Sequence, residues 1–381
     1  MLFRSLYLMY TGNVWTGPDH ESQLKQVQAL AVSEDGIHFT KLEANPVIAQ
    51  APKGDIHPYH FRDPKVWKQD NTYFCVLGSR TNDHIGQVLL YKSEDLLNWD
   101  FINVMATGEG NFGYMWECPD YFEMGGQGVL VMSPQGLKPE GYKYHNLHQA
   151  GYILGNLDIE TGKLSHGPFE ILDYGFDFYA PQTTTDDKGR RVAIAWMNMW
   201  ESPMPEQEFN WAGAMTIPRE LKLRDGKIIS SPVEELKCLR SNEICYHDQR
   251  VMGEVSFSDV EGSSLELEVE IRPEKASNFG VKLRQSDKEE TVLSYDVREQ
   301  IFTLNREKSG QGPGGFRQAP LSLLDGVLTL HIFLDATSIE VFLNGGEKAM
   351  TARIYPSKEA NGISFFADDA TIKSLKKWNL N

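Results

Sequence analysis

The chain has 381 residues, 41% hydrophobic and 24% charged, which is ordinary for a globular protein with a sizeable core and long enough for two domains. Its formal net charge of −16 argues against nucleic acid or an anionic membrane as partner, because both attract basic surfaces. No apolar run approaches a membrane span, and the four cysteines (Cys75, Cys118, Cys238 and Cys245) form no C-x-x-C pair and no zinc spacing. Free thiols in a reducing compartment are the preferred reading over a Cys238–Cys245 disulfide, and cytoplasmic location follows by default.

Along the chain, short runs of β-branched and aromatic residues punctuated by Gly, Asn and Asp predict an all-β protein. The opening stretch Met1 to Tyr10 reads as a strand entered abruptly, without the long apolar region and small-residue cleavage site of a signal peptide. Two interleaved series suggest a repeat. Ser33-Glu34-Asp35 followed by Phe39 matches Ser93-Glu94-Asp95 followed by Trp99, 60 residues on, and each aromatic is expected to plug a core. Asp63-Pro64, Cys118-Pro119 and Ala180-Pro181 each open a segment with a strand soon after, at Tyr73–Leu77, Val129–Met132 and Val192–Met197. Such a repeat suggests propeller blades near 6–53, 60–108, 114–173 and 178–237. The first is short, so the chain is expected to start inside a blade.

After Leu239 the texture changes. Leu265, Leu267, Val269 and Ile271 alternate with Glu266, Glu268, Glu270 and Arg272 in a half-buried strand. Further strands are predicted at 280–283, 292–297, 301–305, 328–334, 339–343 and 363–366. Asn344-Gly345-Gly346 is a turn signal, and Ser309–Gly315, with four glycines and a proline, should be a mobile loop. The domains read as 1–239, a propeller, and 245–381, a β-sandwich, with the boundary near Leu239–Cys245.

Chemistry concentrates in two stretches. Tyr114 to Phe122 holds Glu117, Cys118, Asp120 and four aromatics. A carboxyl crowded by apolar neighbours resists ionisation, which suits a general acid, and aromatic faces suit a sugar ring. The competing reading is a buried strand in which Glu117 is tied up in an ion pair. Phe61 to Trp67 holds Arg62 and Asp63, alone readable as a structural pair. If the repeat holds, Asp63 and Glu117 occupy near-equivalent positions on adjacent blades and converge on one funnel. Trp196, Asn198 and Trp200 alternate onto one face, where Trp200 fits a pocket or a core equally. His57, His60, His84, His145 and His148 read as scattered surface histidines, so no metal and no cofactor is expected.

At these residues the chain resembles glycoside hydrolase family 32, the invertases, sucrose-6-phosphate hydrolases, levanases and inulinases. Phe61-Arg62-Asp63-Pro64 looks like the family's Arg-Asp-Pro motif, Trp116-Glu117-Cys118-Pro119-Asp120 like its Glu-Cys motif, and Phe178-Tyr179-Ala180-Pro181-Gln182 like its third landmark. Leu8 to Asn13 and Ile339 to Glu347 are similar to further segments, and the bacterial sucrose-6-phosphate hydrolase branch fits best. The resemblance implies a five-bladed propeller with a C-terminal sandwich, and retaining hydrolysis of β-fructofuranosides such as sucrose or sucrose 6-phosphate. It implies Glu117 as general acid/base, Asp63 as transition-state stabiliser, Arg62 as a sugar ligand, Cys118 tuning Glu117, and Tyr179 and Trp200 at the pocket. The partner implied is a small oligosaccharide or sugar phosphate. The family nucleophile, in a Trp-Met-Asn-Asp-Pro-Asn-Gly type motif, has no counterpart here, nor has the Ser-Gly-Ser segment. The expectation is a chain lacking blade 1 and the start of blade 2, nearly inactive alone. Alternatives are a fructoside-binding pseudoenzyme and a five-bladed arabinan-degrading glycosidase.

Overall fold

A computed structural model describes residues 5–19 and 21–381. Of the opening strand predicted from the sequence, Met1–Arg4 lie outside the described residues. The rest is all-β, with a propeller built of small antiparallel sheets and a ten-stranded C-terminal sheet. Contacts divide it into two compact units. One comprises residues through Lys138, Leu147–Glu170 and Ala180–Gln182, the other Pro139–Asn146, Ile171–Tyr179 and Thr183–Asn381.

The first sheet orders β1 (Leu6–Trp15), β2 (Leu24–Ser33) and β3 (Thr40–Lys41). The second orders β4 (Phe61–Gln69), β5 (Thr72–Arg80), β6 (Gly86–Ser93) and β7 (Asp100–Thr107). The third contains β8 (Met115–Met124), β9 (Gln127–Gln135), β10 (Gly151–Asp158) and β11 (Lys163–His166), with β12 (Glu170–Ile171) beside β10. The fourth orders β13 (Tyr179–Thr185), β14 (Arg191–Met197), β16 (Arg219–Arg224) and β17 (Lys227–Pro232), with β15 (Ala214–Met215) beside β14. Middle strands of a blade are covered on both faces, so β5 and β6 are continuous apolar runs: Cys75, Val76, Leu77, Val88, Leu89 and Leu90 are all fully buried.

Both repeat series are physical. Ser33 Oγ accepts from the N–H groups of Asp35 and Gly36, and Asp35 Oδ1 from Ile37 and His38. Ser93 and Asp95 make the same bonds to residues 95 to 98. Gly36 and Leu96 take the same left-handed φ, 76° and 68°. The aromatics differ from expectation: Trp99 packs on the core cluster of Phe61, Cys75 and Leu77, whereas Phe39 is exposed. In the second series Asp63, Cys118 and Ala180 all have positive φ, 62°, 50° and 51°. The registers of β4 on β5 and β8 on β9 slip there, between Arg62 and Lys65 and between Glu117 and Asp120. At Asp63 and at Cys118 the pre-proline residue therefore opens a β-bulge, which accommodates a proline that cannot donate to the ladder.

The C-terminal strands are β18 (Arg240–Val255), β19 (Leu265–Arg272), β20 (Asn278–Gln285), β21 (Glu290–Asp296), β22 (Ile301–Lys308) and β23 (Phe316–Pro320), followed by β24 (Leu328–Asp335), β25 (Ser338–Leu343), β26 (Lys348–Arg353) and β27 (Gly362–Leu380). Strand β27 pairs with β20 through its first residues and with β19 through its last, and β18 runs beside it. It is far longer than the predicted 363–366, because Lys and Asp interrupt its apolar pattern while its ladder continues. The stretch 239–245 holds no loop. A 3₁₀ segment, Glu234–Leu239, passes directly into β18, where the Arg240 guanidinium pairs with Glu266 and Glu268 and lies 3.8 Å over the Trp378 ring. The Ser309–Gly315 loop is also pinned rather than mobile. Tyr355 donates its N–H to Ser309 O and accepts from Gln311 N–H, and a Cβ on Gly310 would lie 1.8 Å from Tyr355 O.

The second unit buries two ionic networks. Arg219 donates to Asp173 at 2.9 Å, and to Glu340 and Thr351 at 2.6 Å each, between the rings of Phe178 and Phe342. Asp177 accepts from Arg306 at 2.6 Å and from Arg353 at 3.0 Å. Breaking a buried ion pair from one side leaves uncompensated charge, at a cost of about 3–5 kcal/mol. Arg219→Ala strands two buried carboxylates and is expected to lose about that much in urea unfolding.

Candidate active site

Strands β4 and β8 are the first strands of adjacent blades, and their bulges bring Arg62, Asp63, Glu117 and Cys118 together. Close approach is possible because Gly78 lies where β8 passes. A Cβ there would sit 2.2 Å from Trp116 O and 3.3 Å from Glu117 Cα. Trp116 is fully buried and donates its indole N–H to Phe112 O at 2.8 Å, which anchors the strand beside Glu117.

Arg62 is the shared partner. Its Nη2 and Nε donate to Glu117 Oε1 at 2.6 and 3.1 Å, and its Nε lies 3.9 Å from Asp63 Oδ2. Glu117 Oε2 accepts from the Gln135 amide at 2.8 Å. Asp63 Oδ2 accepts from the Cys118 N–H at 3.0 Å, with the Cys118 thiol at 3.8 Å. The Asp63 N–H in turn donates to Thr11 Oγ on β1 at 3.0 Å, so three strands lock together. Further out, Lys65 Nζ lies 3.3 Å from the buried Asp120 carboxylate and donates to Gln182 Oε1 at 3.3 Å, while the Gln182 amide donates to Cys118 O at 3.1 Å.

Glu117 is thus both ion-paired and placed beside a second acid, which merges the two sequence readings. The near-equivalence of Asp63 and Glu117 needs a correction of one residue. Aligned on the prolines, Glu117 corresponds to Arg62, and Asp63 to Cys118. The extra residue of each bulge brings neighbouring side chains toward one space. Cys118 hydrogen-bonds Asp63 through its N–H and also lies within electrostatic range of Glu117. Tyr179 is buried at 2% exposure, whereas Trp200 is 51% exposed and packs edge-on to Trp196 at 5.5 Å, so core packing does not describe it. Gln135 carried no motif signal. Lys65, Asp120 and Gln182 stood within the quoted motifs without an assigned role.

The histidines also need correction: His60 and His148 are buried. Glu21, His57 and His60 each bring a ligand atom within 4.8 Å of the others, but Arg80 pairs with Glu21 and Arg62 lies 3.3 Å from His60. Glu266, Glu268 and His331 form a similar set, which Arg240 fills. Neither donor set fits a cation, because a guanidinium already occupies it.

A propeller with two carboxyl groups, an arginine and amide donors at adjacent inner strands has the equipment of a carbohydrate-processing hydrolase. The Glycosyl hydrolases family 32 N-terminal domain matches residues 2–232, and the family's C-terminal domain matches 235–379. The chain belongs to glycosyl hydrolases family 32, a family of glycosidases. It is 39% identical to a sucrose-6-phosphate hydrolase of Escherichia coli over 98% of this chain and 77% of that protein. It is 38% identical to one of Bacillus subtilis over 98% of this chain and 76% of the other. Among solved structures it is similar to a Bombyx mori β-fructofuranosidase variant in complex with sucrose (TM-score 0.86, 34% identity, 100% of this chain, 77% of the other). It is also similar to a sucrose-6-phosphate hydrolase from Lactobacillus gasseri (TM-score 0.88, 28% identity, 100% and 76%). No helix among the described residues is long and apolar enough to cross a membrane.

Two tests follow from the site. Cys75 and Cys118 have thiols pushed up by burial, and Cys238 and Cys245 are exposed. A disulfide reagent should therefore titrate two of the four thiols quickly in the native chain and all four after unfolding. Burial, with Glu117 adding and Arg62 opposing, also raises the Asp63 carboxyl above its ordinary value of 3.8. The folded chain then holds that proton to higher pH than the unfolded chain. Ionised Asp63 therefore costs stability above the raised value and nothing below 3.8. Asp63→Asn should raise the calorimetric Tm at pH 7, and the gain should close as pH falls toward the ordinary value.

Proposed function

We propose that this chain carries the proton-donating half of a retaining β-fructofuranosidase that acts on sucrose or sucrose 6-phosphate. The observation that carries the reading is Arg62 held between Glu117 and Asp63 in a family 32 propeller. Glu117 is assigned as general acid/base, giving its proton to the glycosidic oxygen. One of its oxygens must then be released by Arg62 or Gln135 when substrate enters. Asp63 accepts hydrogen bonds from fructosyl hydroxyls, bonds that strengthen as oxocarbenium character develops. Arg62 orients the sugar, and Cys118 fixes Asp63 through its N–H. Tyr179 and Trp200 are kept as pocket residues, Trp200 on its exposure.

We assign catalysis to residues 1–239 in a propeller of five-bladed design, and residues 245–381 to the accessory sandwich. The unpaired cysteines fit a reducing compartment, the cytoplasm.

Retention also needs a carboxylate nucleophile about 5–5.5 Å from the acid. No Asn-Asp-Pro-Asn type motif occurs in the 381 residues. Acid–base help supplies only about 10²–10⁴-fold, so these residues alone are expected to be inactive or nearly so. Release of glucose or glucose 6-phosphate by the purified chain tests this. Turnover typical of the family would overturn the inactivity, and Glu117→Gln should then lower kcat by about 10²–10⁴-fold. Binding of fructosides without turnover would favour a non-catalytic fructoside-binding role.

A further inference from the structure

A second polar cluster in the first unit takes no part in the proposed hydrolysis. It gathers Arg80 at the end of β5, His57 and His60 on the segment entering β4, and His84 in the turn from β5 to β6. The His57 ring lies 4.8 Å from His60 and 5.9 Å from His84, and Arg80 Nη2 is 3.5 Å from His57 Nε2. Arg62 joins the cluster to the carboxylates: its Nη1 is 3.3 Å from His60 Nδ1 while its Nη2 holds Glu117.

The cluster is built for an anion. Arg80 is 3% exposed, and its carboxylate partner, Glu21, comes from the turn between β1 and β2 with a largely exposed side chain. Among the described residues two donors, Arg80 Nε and His60 Nε2, are buried without a hydrogen-bond partner, and the latter stops 3.7 Å from Glu21. A buried donor left unsatisfied is costly and can be met by the acceptor oxygens of a ligand. The local field is positive. Burial first, then Arg80, Arg62 and His57, holds His60 down to about 3, and burial with Arg80 lowers His57 as well.

A groove of about 690 Å³ lies beside it, lined by His84, Ile85, Glu109, Asn111, Tyr114, Lys138 and four glycines, so that it carries one carboxylate as well as one ammonium. Tyr114 is 40% exposed and rests on Gly136, whose φ of 85° and lack of a Cβ (2.4 Å from the ring if present) let the two stack. Tyr114 N–H donates to Gln135 O, and the Gln135 amide holds Glu117. The groove is therefore joined to Glu117 through Tyr114 and Gln135.

We propose that this cluster recognises the phosphate of a phosphorylated hexose leaving group. Arg80, His57 and His84 are its donors, the Tyr114 ring carries the hexose, and the Glu21 carboxylate holds the phosphate position until substrate displaces it. A phosphate monoester brings a charge of about −1.5 to −2 and three acceptor oxygens, more than one carboxylate supplies. The assignment rests on the fructoside reading and selects sucrose 6-phosphate over sucrose within it.

Calorimetric titration of the full chain with sucrose, sucrose 6-phosphate and inorganic phosphate tests it. Sucrose 6-phosphate should bind at least tenfold more tightly than sucrose. Glu21→Ala, at an exposed position, should tighten sucrose 6-phosphate at least threefold and leave sucrose unchanged. Arg80→Gln, checked for folding by circular dichroism, should bring the preference close to one. Equal affinities for the two sugars in the parent chain, or no tightening in Glu21→Ala, would overturn the phosphate site and leave the fructoside reading standing. Inorganic phosphate bound as tightly as sucrose 6-phosphate would overturn the sugar-phosphate assignment in favour of a free-anion site. Binding of neither sugar would remove the fructoside reading and this assignment together.

Discussion

Arg62 is the charge on which the candidate site depends. Two carboxylates beside each other in a partly buried funnel repel and resist ionising together. A guanidinium can serve both because its donors form a planar fork, here turned to Glu117 with Asp63 at the flank. A lysine at the same position would present one point charge and could not span them. The same fork continues to His60, so contacts run from Glu117 through Arg62, His60 and His57 to Arg80.

That placement rests in turn on a backbone device. In three successive inner strands the residue before a proline is left-handed, although such residues ordinarily favour extended backbone. The bulge spares the ladder a missing donor and releases one N–H sideways. The Cys118 N–H goes to Asp63, and the Ala180 N–H to Ser133 Oγ at 3.1 Å. Strain of this kind persists only where the surroundings over-determine it. Here the surroundings are the next blade's backbone, approaching over Gly78.

The second unit uses charge differently. Arg219, Asp173 and Glu340 are buried and paired with one another, as are Asp177, Arg306 and Arg353, although Arg219 Nε and Arg306 Nε find no hydrogen-bond partner among the described residues. Such networks contribute little net stability relative to apolar packing, but they penalise any misplaced strand heavily. The site in the first unit is more open to solvent: Asp63 retains 31% of its side-chain exposure.

Much of this was legible in the chain itself. Strands with alternating or wholly apolar runs, the Ser-x-Asp turns, the Asn344-Gly345-Gly346 hairpin and the proline series are local features, set by propensity and by the bonds a residue makes to its near neighbours. The Arg62-Asp63 and Glu117-Cys118 stretches also stood out, because they place charge among aromatics. What local sequence could not show was anything that depends on a bulge or a distant partner. One extra residue per strand shifts which side chain faces the funnel, so Glu117 aligns with Arg62 and not with Asp63. Gln135 and Thr11 reach the site from other strands, and nothing in their own neighbours announces it. The buried His60 and the pinned Ser309–Gly315 loop passed for surface features for the same reason. The chain by itself determined which residues could do chemistry. Only tertiary structure decided which of them meet, because register and blade-to-blade approach are set by packing between segments remote in sequence.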